Sequence, residues 1–509
     1  MDHKLSGRFD ILIIGGGFAG SITALCLNSA GYKVGIIEKS SHPRFAVGES
    51  STPVADMILR DLSTKYRLPD LRKLSRYGSW QQHYPNVTCG IKRGFSYYNH
   101  QYGTPFEPDP NHRNELHVAA SVNDRNSDTQ WLRADVDLFL FDMAKNAGVQ
   151  VHENTTITSA SYTNTQKIWT LTATTGSEPL RLTARFIIDA TGTPAFSKQF
   201  LGTESTADPF KTNSRALYSH FEHVPFWLDI LTKQHHNTAD YPYNPDHSAL
   251  HHLLDIGWMW MLRFNTGLLS AGIVIDQNNP GMNDVEDPKL QWNTILQNYP
   301  SLQELFSEAT VAEQPGKLLR TGRLQRRLDS VYGTAWAALP HTGGFVDPLH
   351  STGIAHTLKG VETLLDIIES SRLDTEKMNR PLELYQKALF RELDLIDMLV
   401  SGCYKARRHT KLFHAFTMLY FICTVQYEQS RLNGSNPDHF LCANHPRLYM
   451  LIAGCLDHLS AITDRGHSTD QEKKDFINRT RQKIKPFNNV GLMDPSKKNL
   501  YKHTAVEIS

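Results

Sequence analysis

Neither sign of charge dominates this chain of 509 residues: 53 Lys and Arg stand against 52 Asp and Glu, a formal net charge of +1. Such a balance gives no long-range field to gather nucleic acid or an anionic membrane. Cysteine is scarce too. The six, at 26, 89, 403, 423, 442 and 455, include no C-x-x-C pair. That spacing argues against a zinc site and a disulfide framework, and reduced thiols in a cytoplasmic protein are expected. Histidine is plentiful at 24, but no H-E-x-x-H or other ligand spacing occurs, so no metal is expected. The longest apolar run, LFHAFTMLYFICTVQY from Leu412, is too short to span a bilayer and contains a histidine. It reads as a buried helix or the wall of an apolar pocket. The opening MDHKLSGRFD lacks the apolar region of a secretory signal, and there is no low-complexity tract or internal repeat. Hydrophobic residues at 40% and charged ones at 21% describe a soluble globular chain, long enough for two to four domains or subdomains.

The most informative stretch is FDILIIGGGFAGSITALCLNSAGYKVGIIEKS. Ile11 to Ile14 form the continuous apolar run of a strand buried on both faces. Gly15, Gly17 and Gly20 follow as G-x-G-x-x-G. In that pattern the first glycine makes the tight turn, the second admits a pyrophosphate close to the backbone, and the third lets helix pack on strand. The helix carries Phe18, Ile22 and Leu25 on one face. A second strand, 33–37, ends in Glu38, 18 residues beyond Gly20, where a carboxylate accepts the ribose hydroxyls. An acid there argues against a 2′-phosphate.

Two later passages repeat the strand-then-glycine pattern. ARFIIDATGT ends a strand at Asp189 and turns at Gly192, and WAALPHTGGFVDPLHSTG feeds a helix. In that helix Ile354, Leu358, Val361, Leu365 and Ile368 make one apolar face. Ser351 or Thr352 is expected to cap it, with Gly353 leaving the first N–H groups uncovered at the positive end of the dipole. Contacts drawn from three separated blocks suit an extended FAD on an interrupted fold better than a nicotinamide cofactor completed in one block.

With these blocks assembled, the chain resembles the FAD-dependent monooxygenase superfamily, and within it the flavin-dependent halogenases of the tryptophan-halogenase type. GGGFAGSITA (15–24), PRFAVGES (43–50), GWMWMLRF (257–264) and FVDPLHSTGI (345–354) carry the likeness. Three departures stand out. Leu262 and Arg263 replace an Ile-Pro pair, His350 stands where tryptophan-type members have glutamate, and IKRGFSYY offers Lys92-x-Gly94-x-x-Tyr97 for the family lysine. Lys73, in the charged stretch DLRKLSRYG, is a rival for that role.

The resemblance implies an α/β fold: a glutathione-reductase-like, Rossmann-type FAD domain, an inserted β-rich substrate domain and a helical C-terminal region. The expected boundaries are 1–85, 130–205 and 315–375 for FAD, 86–129 and 206–314 for substrate, and 376–509 for the helices. It implies halogenation of an electron-rich arene of indole, phenol or pyrrole type. Reduced FAD and oxygen give a C4a-hydroperoxide, and halide attack on it gives hypohalous acid. Chloride or bromide is the co-substrate, and a separate flavin reductase supplies the reduced flavin. Gly15, Gly17, Ala19, Gly20, Glu38, Lys39, Arg44, Glu49, Ser50, Arg133, Asp189, Gly192, Asp347, Gly353 and Ile354 are implied to hold FAD. Ser351, Thr352 and Gly353 are implied to hold the halide. Lys92 would steer or carry the halogen, and Trp258 and Trp260 would wall the substrate off from the flavin. His350 would orient Lys92, act as a base for the ring proton, or fill a pocket shaped differently from the family's. Two other readings share parts of the pattern: a flavin monooxygenase that hydroxylates an aromatic or alkene, and a non-catalytic binder on the same fold.

Overall fold

The computed structural model describes residues 7–278 and 286–507. Its first layer is a sheet with a parallel centre. The Gly7–Ile14 strand lies between Glu178–Asp189 and Val34–Ile37, with Trp336–Ala338 beyond the former and Gln150–His152 beyond the latter. Ile11, Leu12 and Ile13 are fully buried, as a strand covered on both faces requires. An antiparallel hairpin, Thr155–Thr163 with Ile168–Thr175, extends the Glu178–Asp189 strand. The strand before Glu38 runs Val34–Ile37, one residue shorter than its periodicity suggests.

The Phe18–Ser29 helix is buried all the way from Phe18 to Leu27, not along one stripe. It is a core helix, packed against the Arg133–Asn146 and Thr352–Ser371 helices as well as the sheet. At its start the tight turn is sterically enforced. Gly15 has φ +107°, and a Cβ on Gly20 would fall 2.0 Å from the Gly15 carbonyl oxygen.

A second, nine-stranded sheet forms from Gly94–Asn99, Glu115–Ala119 and four longer strands between Ser214 and Asp276, with short edge strands. One face covers a separate apolar cluster around Trp227, Trp292 and Tyr299. The C-terminal third is dominated by the Thr375–Ala406, Thr410–Leu432, Pro446–Thr463 and Asp470–Ile484 helices. It is not wholly helical, because Leu500–Tyr501 pairs in parallel with the Glu115–Ala119 strand. The apolar run from Leu412 forms part of the buried Thr410–Leu432 helix. All six cysteines are buried and free. Among the described residues no group of three or more His, Cys, Asp or Glu is arranged to hold a metal, and no helix is long and apolar enough to cross a membrane.

Candidate active site

The glycine turn, the PRFAVGES segment and the Arg133–Asn146 helix meet at the start of the Phe18–Ser29 helix. Glu38 accepts the Gly16 N–H at 2.8 Å and the Ser40 N–H at 2.9 Å, which fixes its carboxylate at the end of its strand. Arg133 is a buried side chain forked onto Asp137, with both N···O distances at 2.8 Å, and its third nitrogen donates to the Val47 carbonyl. Arg44 is partly exposed, within 3.7 Å of Glu38 and 3.6 Å of Asp137. A Cβ on Gly17 would stand 3.3 Å from Arg44 Nη2, 3.4 Å from Asp137 Oδ2 and 3.5 Å from Arg133 Nη2. The missing side chain therefore leaves a space between two guanidinium groups and the Asp137 carboxylate that they share. The helix end itself is less open than the motif suggests, because Asp137 already accepts the Phe18 N–H at 3.0 Å. No motif marks Asp137; only its position, four residues past Arg133 on one helix, could have suggested the pair.

Elsewhere around this turn the roles are more varied. Asp189 is buried and accepts from the Thr191 and Ser197 hydroxyls at 2.7 and 2.5 Å. Burial still pushes its carboxyl up to about 6. Gly192, at φ +71°, donates its N–H to the Thr342 hydroxyl oxygen at 2.9 Å. Glu49 turns toward the second sheet, where His220 Nε2 lies 2.9 Å from its carboxylate. Ser50 is bridged to Gln130, Ala19 and Ile354 are buried, and Lys39 is exposed.

The Thr352–Ser371 helix opens differently from the expectation. Ser351 occupies the cap position but lies in the left-handed region (φ 52°, ψ 32°), and no side chain caps the helix. Its N–H turns back to the Pro348 carbonyl at 3.0 Å. The first turn is consequently left without a hydroxyl cap. A Cβ on Gly353 would meet nothing within 4 Å, and a small cavity of about 10 Å³ lies against Thr352, Gly353, Asp347 and His341. That is room for roughly one water-sized particle.

Asp347 ties this turn to the tryptophan strand. Its carboxylate accepts from Ser214 Oγ and Tyr404 Oη, both at 2.8 Å, and Tyr404 Oη in turn accepts the Trp258 indole N–H at 3.1 Å. Burial raises the Asp347 carboxyl to about 6. Trp258 and Trp260 lie on the same face of the Gly257–Arg263 strand, their ring centres 6.2 Å apart. Gly272 pairs with Trp260 across the ladder, and a Cβ there would lie 2.2 Å from the indole, so only glycine admits that ring.

Lys92 ends the short Cys89–Lys92 strand and is completely buried. A lysine in an ordinary surface strand would snorkel its ammonium to water. This one donates to the Ser51 carbonyl, one residue past the PRFAVGES segment, and sits 4.3 Å from the centre of the Phe95 ring. Burial pulls it down to about 8, against the opposing pull of Asp128 and Asp56. From Phe95 the rings run two ways. One path passes through His251 to Trp258, with 5.3 Å between those two rings; the other passes through Tyr420 to His350, stacked at 4.4 Å. Three motifs scattered over more than 250 positions thus converge on one box of aromatic and imidazole rings. His251, Tyr404 and Tyr420 complete it without belonging to any motif. Lys73 does not join them: it is ion-paired to Asp70 at 2.7 Å in a short surface helix.

His350 does not orient Lys92. Its Nε2 lies 3.8 Å from Cys403 Sγ, and its buried Nδ1 has no hydrogen-bond partner among the described residues. Burial, with His251 nearby, pulls it down to about 3. It is a neutral ring and a poor base for an arene proton.

The family model described as tryptophan halogenase matches residues 10–70 and 130–417. The monodechloroaminopyrrolnitrin halogenase PrnC of Pseudomonas fluorescens is 28% identical over 486 residues, 90% of this chain and 82% of that protein. The tetracycline 7-halogenase of Kitasatospora aureofaciens is 25% identical over 430 residues, 82% of this chain and 73% of that protein. The crystal structure of halogenase PltM in complex with phloroglucinol and FAD superposes with a TM-score of 0.84. It is 23% identical, with 97% of this chain and 99% of that one covered, and shows a shared fold.

Proposed function

This chain belongs to the tryptophan halogenase family, and from that premise we propose that it halogenates an electron-rich arene of indole, phenol or pyrrole type with reduced FAD, oxygen and chloride or bromide. The observation that carries the reading is Lys92: a wholly buried lysine facing a box of aromatic rings that also receives Trp258 and His350. A hydroxylase needs no such amine.

The residues present fit FAD. Gly17 leaves a cradle beside Arg44 and Arg133 suited to a pyrophosphate, and Glu38 stands where a ribose is held. When bound and reduced, FAD would supply with oxygen the oxidising equivalent that turns halide into hypohalous acid. Thr352 and Gly353 would hold the halide with backbone N–H groups at a helix start. Neutral dipoles suit an anion that must leave as a nucleophile, whereas a cation would hold it too well. Lys92 would hold hypohalous acid by hydrogen bond or carry the halogen as a haloamine to the ring. Trp258 and Trp260 would keep the substrate off the flavin side, and the free Nδ1 of His350 offers a substrate hydroxyl or N–H one partner.

The FAD domain, glutathione-reductase-like in this reading, comprises 1–85, 130–205 and 315–375. The substrate domain comprises 86–129 and 206–314, and the region 376–509 closes over it. A separate reductase delivers the reduced flavin, since one dinucleotide motif leaves no second nucleotide domain in these residues. The test is a reaction with a flavin reductase, FAD, oxygen, bromide and a panel of indoles, phenols and pyrroles, read by mass spectrometry. A brominated product supports the reading; a product heavier by one oxygen, formed equally without bromide, overturns it in favour of hydroxylation.

A further inference from the structure

Lys92 faces two buried acids that no motif marks. Asp128 is its direct partner in the antiparallel ladder between Cys89–Lys92 and Asp128–Trp131. Asp56 lies in the first turn of the Pro53–Tyr66 helix. Both are almost wholly buried, and burial together with the Asp128 charge pushes the Asp56 carboxyl well above the ordinary carboxylate range, so the pair keeps one proton between them. Ser51 joins all three: its carbonyl accepts from Lys92, its hydroxyl donates to Asp56 at 3.3 Å, and its N–H donates to Thr129 at 3.1 Å.

We propose that Asp128, sharing a proton with Asp56, is the positioning residue for Lys92: it supplies the counter-charge of the ammonium and accepts the proton that must leave before the nitrogen can take up halogen. The proposal rests on the halogenase reading above. In the step, Lys92–NH3⁺ gives a proton to the Asp128 carboxylate through one bridging water, because its ammonium is hydrogen-bonded to the Ser51 carbonyl and, among the described residues, forms no direct ion pair with the acid. The freed lone pair attacks the halogen of hypohalous acid, forming N–X as X–O breaks. Hydroxide leaves with a nitrogen proton as water, and the neutral haloamine remains.

The surroundings suit that exchange. Asp128 Oδ2 has no hydrogen-bond partner among the described residues and is open to receive a proton. Lys92 is drawn down to about 8 and Asp128 pushed up to about 7, both chiefly by burial. The two shifts run toward each other, which favours passing the proton between them. The other groups acting on the trio are Arg60, Glu507, Glu428, His251 and Tyr420, whose hydroxyl burial pushes well above its ordinary range. Arg60 is paired with Glu507 of the C-terminal segment at 2.6 Å, and Glu507 also holds Arg76 at 2.7 Å. Burial pushes the Glu428 carboxyl of the Thr410–Leu432 helix well above the ordinary carboxylate range, and His251 is drawn down to about 3. Asp128 is therefore the acid of this group that can carry a negative charge opposite Lys92.

The test is direct titration of Lys92 in the flavin-free protein, by NMR of ¹³Cε-labelled lysine, its signal identified by loss in Lys92→Met. Asp128→Asn should move the Lys92 midpoint down by about one to three pH units, the scale of losing one nearby opposite charge. The acid limb of the halogenation profile should move with it. Asp56→Asn keeps the Asp128 charge and donates an amide hydrogen bond, so its midpoint should stay or rise. Asp128→Glu should restore the wild-type midpoint. If Asp128→Asn folds poorly, the double Asp56→Asn/Asp128→Asn variant leaves no carboxylate in the pair and reads the same shift. An unmoved midpoint with intact halogenation overturns the role of Asp128 alone. A moved midpoint in a protein that never halogenates supports the charge pairing and overturns the halogenase reading.

Discussion

Replacing Lys92 with methionine should abolish halogenation and yet make the folded protein more stable. Methionine keeps the apolar stem and much of the volume but removes the charge and all three donors. Burial draws Lys92 from an ordinary 10.5 to about 8, a fall of about 2.5 units. At about 1.4 kcal/mol per unit, keeping the ammonium at neutral pH costs about 3 kcal/mol of folding stability. The sign follows from proton counting. The unfolded chain binds this proton more tightly, so the penalty is complete below about pH 8 and disappears as pH rises to about 10.5. Methionine also strips Asp128 of its counter-charge, which returns part of the gain, so a net of about 1–3 kcal/mol is expected. In a chain of this size that is a rise of about 1–3 °C in Tm at pH 7, shrinking toward zero near pH 10.5. Thermal unfolding across pH 6–10.5 measures it. Product formation should fall by at least about a hundredfold, with FAD binding and peroxide production from reduced flavin nearly intact. A Tm several degrees lower at pH 7, or lost FAD binding, would show that Lys92 is a structural hub and refute the reasoning.

Other expectations are separable from this one. Gly17→Val should abolish FAD binding, measured by absorbance after gel filtration, because its side chain enters the space between Arg44 and Arg133. Gly353→Ala should fold normally, since its Cβ meets nothing within 4 Å, and bulky replacement of Thr352–Gly353 should lower halide use more than oxygen consumption; equal loss of both would mean that the turn only supports the flavin. Tyr404→Phe removes the donor to Asp347 and the acceptor of Trp258, so about 1–3 kcal/mol of stability should go, read by denaturant unfolding. NADPH alone should not bleach the bound flavin rapidly, and rapid bleaching would favour the hydroxylase reading.

What the sequence showed plainly was whatever is local. Strand, glycine turn, helix, strand and acid lie within some thirty residues, and their steric demands are written in the glycines themselves, as the Gly15 turn and the Gly20 contact bear out. Trp258 and Trp260 share a face because a strand alternates with period two. What faces them is another matter. His251, Tyr404 and Tyr420 arrive from separate elements, and no spacing rule links a residue on one helix to a ring on a distant sheet. Asp137 and Asp128 were hidden for a similar reason: each is one acid in a mixed sequence, and its weight comes from the buried arginine or lysine it meets. The left-handed Ser351 defeated a sound capping rule, because a hydroxyl of the right type caps only if the backbone aims it at the helix. The Leu500–Tyr501 strand, at two residues, is too short for any periodicity.

The most direct test of the central claim is the fate of a single phenol under matched conditions with and without bromide. Purified protein, a flavin reductase, NADH, FAD and oxygen would be mixed with an electron-rich phenol and the products followed by mass spectrometry. The account predicts a product carrying the one-to-one isotope doublet of bromine, formed only with bromide and lost in Lys92→Met. A singly oxygenated product that forms at the same rate without bromide, and survives Lys92→Met, would contradict it.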